Sequence, residues 1–409
     1  MGSRHIAPDQ VLLSQIFPDQ PQASTSIILQ NWDKCVFKAS FPDAPESCRP
    51  RVVRLEVIRQ DDEATQFNVV SAMQKIAADA LHDLVPATSE IGIASNGEGR
   101  RLRFCVTDFV DGVTLEEVWD QMDGGNQQSV VAALVEALRK LHSMRLSDDR
   151  VRDVLRQGMD EPDVEAFQEA VMGGPSTGFL RDGPALLRAV ARRLELKKPF
   201  HTTTPIPGSD GGLVLRSHFD ELGSVELQNT TVMEQWGREA VFCHNDLTPR
   251  NIILRPRSAA ADGTRAPDYE LAAIIDWELS GFYPASYELG LQDTYLSGAN
   301  RLVSFYLLLK RQMADLVPVS AAQVALLRAM EVLSESRQRR LAEGSNIPAH
   351  IRERFMQRLQ LRRHEDPYIG WVPKNQGAAP PEFSRADAQR LEDDIVAEMV
   401  ARRQSKVAR

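Results

Sequence analysis

Val241–Leu254 reads VFCHNDLTPRNIIL. An apolar strand runs into a polar cluster, His244-Asn245-Asp246, and a second apolar strand, Ile252–Leu254, leaves it. Four residues separate Asp246 from Asn251. A polar loop between two buried strands brings side chains and backbone to the floor of a cleft. A carboxylate and an amide at this spacing can divide two tasks. Asp246 accepts a proton from, or orients, an acceptor hydroxyl, and Asn251 supplies an oxygen ligand to a divalent cation.

Thirty residues on, Ala272–Pro284 reads AAIIDWELSGFYP. Asp276 stands at the end of an apolar run, Leu271–Ile275. A lone carboxylate at the end of a buried strand is costly unless it is paired or binds metal. Mg²⁺ takes hard oxygen ligands, usually one or two carboxylates together with substrate phosphates. Asp276 with Asn251 meets that demand. Phosphoryl transfer needs positioning and charge neutralisation more than covalent help.

His244-x-Asp246-x-x-x-x-Asn251, followed by Ile275-Asp276-Trp277-Glu278 and Gly281-x-x-Pro284, resembles the aminoglycoside phosphotransferase and choline kinase-like group, which shares the protein-kinase fold. FCHNDL is similar to choline kinases, and IIDWE-x-x-G-x-x-P to the aminoglycoside phosphotransferase branch with its large fungal-type membership. The resemblance covers about residues 25–310. It implies an α+β, two-lobed protein-kinase-like fold, with a small β-rich lobe over 1–110 and a larger, mainly helical lobe over 111–409. It implies Asp246 as catalytic base, Asn251 and Asp276 as metal ligands, and His244 as a structural organiser of the loop. For Glu278 a second metal, an acceptor amine and a structural salt bridge all stay open. ATP or GTP and Mg²⁺ are the implied cofactors.

The amino-terminal lobe fits the same reading. Ser26–Gln30, Cys35–Ser40, Arg51–Arg59 and Leu102–Phe109 read as strands, and Glu63–Leu84 has helical apolar spacing. Kinases use a lysine on the third strand, paired with a helix glutamate, to hold phosphates. Arg54 in VVRLEV occupies that position, with Glu63 or Asp62 as partner. Arginine grips phosphate with a planar fork, whereas lysine acts as a point charge. The phosphate-covering loop falls at 30–34 and lacks glycine, so Trp32 can crowd the phosphates. Asp108 and Val110 resemble the hinge whose backbone meets the base, which leaves ATP and GTP undistinguished.

Beyond Gly112 the texture is helical: 115–121, 129–144, broken helices over 145–240, and 302–340. Residues 364–381 read as an extended connector and 385–404 as an amphipathic helix. The acidic run holding Asp148, Asp149, Asp153, Asp160, Glu161, Asp163 and Glu165 is a solvated face or a site for a cationic small-molecule acceptor. GGPSTG at 173–178 reads as an ordinary loop, because no apolar strand precedes it and no GK[ST] follows. His142 lies on the apolar face of its helix.

The 409 residues carry 57 Asp plus Glu and 48 Lys plus Arg, a formal charge of −9. Such a chain repels phosphate backbones, which argues against nucleic acid as main partner. MGSRHIAPDQ lacks the apolar core of a secretory signal, and Ile6 stands where a myristoylation signal needs Ser or Thr. The longest apolar runs, such as VSFYLLL at 303–309, are too short to span a bilayer. Cys35, Cys48, Cys105 and Cys243 lie far apart, which fits a reducing cytoplasm. The expected activity is phosphorylation of a small-molecule hydroxyl. The alternative is a catalytically inactive nucleotide-binding or scaffold relative.

Overall fold

The computed structural model describes residues 5–20, 22–42, 49–58, 64–159, 161–257, 268–297, 300–375 and 383–407. Helix α1 (Gln10–Ile16) is capped by Asp9, whose carboxylate accepts from the Leu12 N–H at 2.8 Å. Strands β1 (Ser24–Gln30), β2 (Lys34–Ser40), β3 (Arg51–Val57), β4 (Thr88–Ser95) and β5 (Arg101–Asp108) form an antiparallel sheet in the order β1-β2-β3-β5-β4.

Alternation divides this sheet into two faces. Cys35, Phe37 and Ala39 of β2, Val53 and Leu55 of β3, and Leu102, Phe104 and Val106 of β5 are buried with Leu12, Leu13 and Ile16 of α1. The intervening residues Lys34, Arg54 and Glu56 share the opposite face, since Lys34 is opposite Glu56 and Val36 opposite Arg54. Helix α2 (Ala64–Leu81) follows β3. Its buried side chains, Met73, Ile76, Ala77 and Leu81 among them, belong to the larger helical core rather than to the sheet's own cluster.

That core is built on β6 (Val113–Thr114), α3 (Leu115–Val118), α4 (Gly124–Leu141), α5 (Asp149–Gln157), α6 (Glu161–Gln168), β7 (Met172–Gly174), β8 (Gly178–Leu180) and α7 (Gly183–Arg193). It continues through β9 (His201–Pro205), β10 (Leu213–Ser217), β11 (Ser224–Leu227), α8 (Thr230–Arg238), β12 (Ala240–Cys243), β13 (Ile252–Pro256), β14 (Tyr269–Ile274), β15 (Gly281–Pro284) and α9 (Ala285–Thr294). The remaining elements are α10 (Val303–Met313), α11 (Ala321–Ala342), α12 (Ile347–Leu359), β16 (Leu361–Arg363), β17 (Trp371–Pro373) and α13 (Arg385–Val407). The protein is thus α+β, with a strand-rich first lobe and a mainly helical second lobe in the kinase-like manner.

One strand goes unread in the sequence and two expectations need correction. Strand β4 escapes the alternation because Ile91 and Ile93 are exposed at a sheet edge and Gly92 interrupts the pattern. That glycine is steric: a Cβ there would lie 2.8 Å from the Phe104 ring on the paired strand. Residues 145–240 are not helices alone, since β9, β10 and β11 make a three-stranded antiparallel sheet. The connector expected over 364–381 pairs as the hairpin β16–β17 up to Pro373, and 376–382 lie outside the described residues.

Candidate active site

Two antiparallel pairs bring distant residues to one place. Strand β12 pairs with β15, with Cys243 opposite Gly281, so the loop leaving β12 meets the loop entering β15. Strand β13 pairs with β14, with Ile252 opposite Ile274, so Asn251 before β13 meets Asp276 after β14. The Ile275 N–H donates to the Asn251 carbonyl at 2.9 Å and closes the gap. Antiparallel pairing therefore places 244–251 and 275–280 at the same strand ends.

The backbone of this pocket is conditioned by its side chains. Asn245 and Asp276 both adopt the left-handed conformation, with φ of 64° and 65°. Non-glycine residues there are uncommon and Asn and Asp are the enriched types. Asn245 is held by its Nδ2, which donates to the Leu279 carbonyl at 3.0 Å, and by its own carbonyl, which accepts from the Tyr295 phenol at 2.7 Å. Glu288 is fully buried, and its Oε1 accepts both the His244 and Asn245 N–H groups, at 2.7 and 2.8 Å. Its Oε2 lies 3.3 Å from His142 Nε2, so the histidine on the apolar face of α4 meets a buried carboxylate.

His244 is buried, with its ring edge-on to Trp277 at 4.6 Å. Its Nδ1 accepts the Asp246 N–H at 3.1 Å and its Nε2 lies 3.0 Å from the Ile275 carbonyl. A neutral imidazole protonated on Nε2 satisfies both contacts. The ring thus ties the Asp246 loop to the Asp276 loop.

Asn251 Nδ2 donates to the Asp246 carbonyl at 2.9 Å and to its carboxylate Oδ2 at 2.8 Å. No described residue donates to Asn251 Oδ1, and the Asp276 carboxylate takes part in no ion pair or side-chain hydrogen bond among the described residues. An amide oxygen and a carboxylate with no hydrogen-bond or ion-pair partner among the described residues, at the ends of paired strands, form a donor set that fits a hard divalent cation. Burial raises the Asp246 carboxyl above the ordinary carboxylate range. Asn251 and Arg250 oppose the rise, and the negative charge of Asp276 adds to it.

From the first lobe, Arg54 Nη2 reaches Glu278 Oε2 at 2.8 Å and Lys34 Nζ reaches the same oxygen at 3.0 Å. Arg54 also pairs with Glu56, Nε to Oε1 at 2.6 Å. Burial works to lower the Arg54 pKa, but Glu56, Glu278 and Asp276 outweigh it and hold the guanidinium above its ordinary value. Burial likewise works to raise the Glu278 carboxyl, and Arg54 and Lys34 outweigh it downward. Glu278 is therefore the carboxylate on which two cations from the opposite lobe converge. Glu63 and Asp62 lie outside the described residues.

The turn at 30–34 is closed by Asn31, whose Oδ1 accepts from the N–H groups of Asp33 and Lys34 at 3.0 and 2.6 Å. An Asx turn does the work that glycine does elsewhere. Trp32 is 55% exposed. At the other end of the sheet, Arg51 is ion-paired with Asp108, and the Asp108 N–H donates to the Ala87 carbonyl at 3.0 Å. The Val110 N–H has no backbone acceptor among the described residues.

Sequence reasoning brings forward Asp246, Asn251, Asp276 and His244, which the fold gathers, and Arg54 and Glu278, which it pairs. It misses Lys34, Glu288 and Tyr295. The alternation in KCVFKAS carried a signal for Lys34, since Cys35, Phe37 and Ala39 face the core and put Lys34 on the Arg54 face. Nothing in SYELGLQD distinguishes Glu288 from a surface acid. GGPSTG is the turn of the β7–β8 hairpin, and Gly174 backs onto the Ser280 carbonyl, where a Cβ would approach to 2.6 Å.

A family model described as the phosphotransferase enzyme family matches residues 46–292, more than half of the chain. No curated protein matches. Among solved structures, the GDP complex of wild-type aminoglycoside 2'-phosphotransferase-IIIa is 11% identical with a TM-score of 0.41, over 95% of this chain and 97% of that one. The gentamicin complex of APH(2")-IIa is 11% identical with a TM-score of 0.42, over 97% of each chain. The ADP-bound aminoglycoside phosphotransferase APH(2'')-Ib is 12% identical with a TM-score of 0.41, over 96% and 99%. No helix among the described residues is long and apolar enough to cross a membrane.

Proposed function

The chain belongs to the phosphotransferase enzyme family, and from that premise we propose that it transfers the terminal phosphoryl group of ATP or GTP to a hydroxyl of a small molecule. The nucleotide lies between the lobes of residues 1–110 and 111–409, its base against the Asp108 carbonyl and the Val110 N–H. Arg54 and Lys34 face its phosphates, and Glu63 is the further candidate partner of Arg54. Asn251 Oδ1 and the Asp276 carboxylate would hold Mg²⁺, which when bound neutralises phosphate charge. Asp246 accepts the acceptor's hydroxyl proton. The acceptor oxygen forms the new P–O bond, the bond to the bridging β-phosphate oxygen breaks, and nucleoside diphosphate leaves with the electron pair. His244 and Glu288 position the Asp246 loop.

The observation that supports this reading most is the meeting of Asp246, Asn251 and Asp276 at the ends of two antiparallel strand pairs. A second reading is a catalytically inactive nucleotide-binding or scaffold protein, favoured by the occupation of Arg54 and Lys34 by Glu278. Calorimetry and turnover on two variants separate the readings. Asp276→Asn is expected to abolish Mg²⁺-dependent nucleotide binding. Asp246→Asn is expected to keep that binding and to lose turnover by about 10²–10⁴-fold. Turnover at the wild-type level in both variants removes these roles.

A further inference from the structure

A cavity of about 240 Å³ abuts the catalytic loop. Asn245 and Leu279, one from each of the two loops that gather the site, form part of its wall. Tyr295 joins them there, and its phenol holds the Asn245 carbonyl one residue from Asp246. Asp246 itself is not part of this wall, so an acceptor in the cavity adjoins the loop through Asn245, the residue before it.

The charge of this cavity is one-sided. Arg193 at the end of α7 and Arg337 of α11 both line it, and no Asp or Glu does. Neither guanidinium takes part in an ion pair among the described residues. Arg193 Nη1 donates to the Ser176 hydroxyl at 3.2 Å and the side chain meets the Tyr287 phenol, while Arg337 Nε donates to the Leu194 carbonyl at 3.1 Å. These partners are neutral, so neither positive charge is paired with an acid among the described residues. Apolar walls, with Met330 and Leu291 among them, strengthen the field of those charges at the cavity. The buried Asn245 Oδ1 has no hydrogen-bond partner among the described residues. Within the acidic run, the described side chains of Asp148, Asp149, Asp153 and Glu165 are absent from this wall.

We propose that the acceptor is a small anionic hydroxyl compound, a hydroxy acid or a phosphate ester, held by Arg193 and Arg337 with its hydroxyl towards the Asp246 loop. This rests on the phosphotransferase reading and names its substrate class. Guanidinium forks bind carboxylate and phosphate oxygens in pairs, and two like charges repel a polycation. Pockets for drug-sized ligands usually run to ~300–1,000 Å³, so this cavity suits a smaller molecule than a multi-ring amino sugar.

The test uses the full-length protein with MgATP and four kinds of probe: glycerate and gluconate, glycerol 3-phosphate and glucose 6-phosphate, neutral glycerol, and kanamycin as a polycation. Binding is followed by calorimetry and turnover by release of ADP. The expected result is binding and turnover with at least one anion, and the responding arm tells carboxylate from phosphate. Arg193→Gln and Arg337→Gln are each expected to raise its KM and Kd about tenfold, the loss of a charge-assisted hydrogen bond, with a smaller change in kcat. Response to kanamycin or glycerol rather than to the anions overturns the inference, as does anion binding unaltered in both variants. MgATP binding without any anion response at millimolar concentration defeats the anionic acceptor alone. Absence of binding of both MgATP and MgGTP by the wild-type protein defeats the phosphotransferase reading with it.

Discussion

Asp246 keeps a carboxylate half-buried, next to Asp276, and hydrogen-bonded by Asn251. Burial first, and the neighbouring negative charge after it, favour the protonated form and make the carboxylate a better base. In the proposed role as base the deprotonated form is the active one, so turnover is expected to fall as pH drops through the raised pKa. The acid limb of the kcat/KM profile is therefore expected above the ordinary aspartate value. A limb at the ordinary carboxylate pKa argues against Asp246 as the base. The same strain on Asp246 predicts that Asp246→Asn leaves Tm unchanged or raises it, since a neutral amide loses less on burial. At this scale the sequence was informative: HNDLTPRN and IIDWE mark their residues by placing polar groups at the ends of apolar runs. Glu288 was not legible, because a glutamate in a helix declares its burial only when three elements close around it.

The β2–β3 face and the loop after β14 form the second level. Lys34 and Arg54 share one carboxylate, Glu278, which spans the lobes. On the proposed reading, nucleotide phosphates arriving at those cations would compete with that carboxylate. Glu278→Gln is expected to lower the nucleotide KM by about two- to fivefold, the worth of partly exposed ion pairs. A rise in KM instead assigns Glu278 to the metal. Strand alternation made this face readable in outline. It did not say which acid would meet Arg54, since Glu56 is two residues away and Glu278 comes from the other lobe. The sheet β9–β11 was missed for a related reason: HTTTP and SVEL are short and mostly exposed, and only pairing with LVLRS makes them strands.

Across the whole molecule, the carboxy-terminal third is tied to the site's scaffold by buried charges. Arg363 of β16 pairs with Asp293 of α9 at 2.6 Å and with Glu335 of α11 at 3.3 Å, and it stacks over Trp371 at 4.1 Å. Lys310 of α10 joins Asp293 at 2.5 Å, and Arg352 of α12 joins Glu335 at 2.8 Å. Asp293 lies on the same helix as Glu288, so this network braces the element that anchors the His244–Asn245 backbone. Removing one member leaves its partners charged and buried, and Arg363→Met is expected to cost about 3–5 kcal/mol of stability. Thermal unfolding measures it, and a change within error denies the network that role. Burial works to raise the Glu335 carboxyl, but Arg352 and Arg363 outweigh it and the group sits below its ordinary value. Its contribution is complete above the unfolded carboxylate pKa of 4.5 and is lost as pH falls below that towards the depressed folded value.

Local order along the chain determined the chemistry: a polar group at the end of an apolar strand is expensive unless it has work to do, and that cost is visible in one dimension. Partnership was decided only in three dimensions. The join of Glu278 to Lys34 and Arg54, the hold of Glu288 on the His244 and Asn245 amides, and the positive cavity beside Asn245 all depend on residues far apart in the chain. Charge compensation acts through space over a few ångströms, and sequence separation carries no record of that distance.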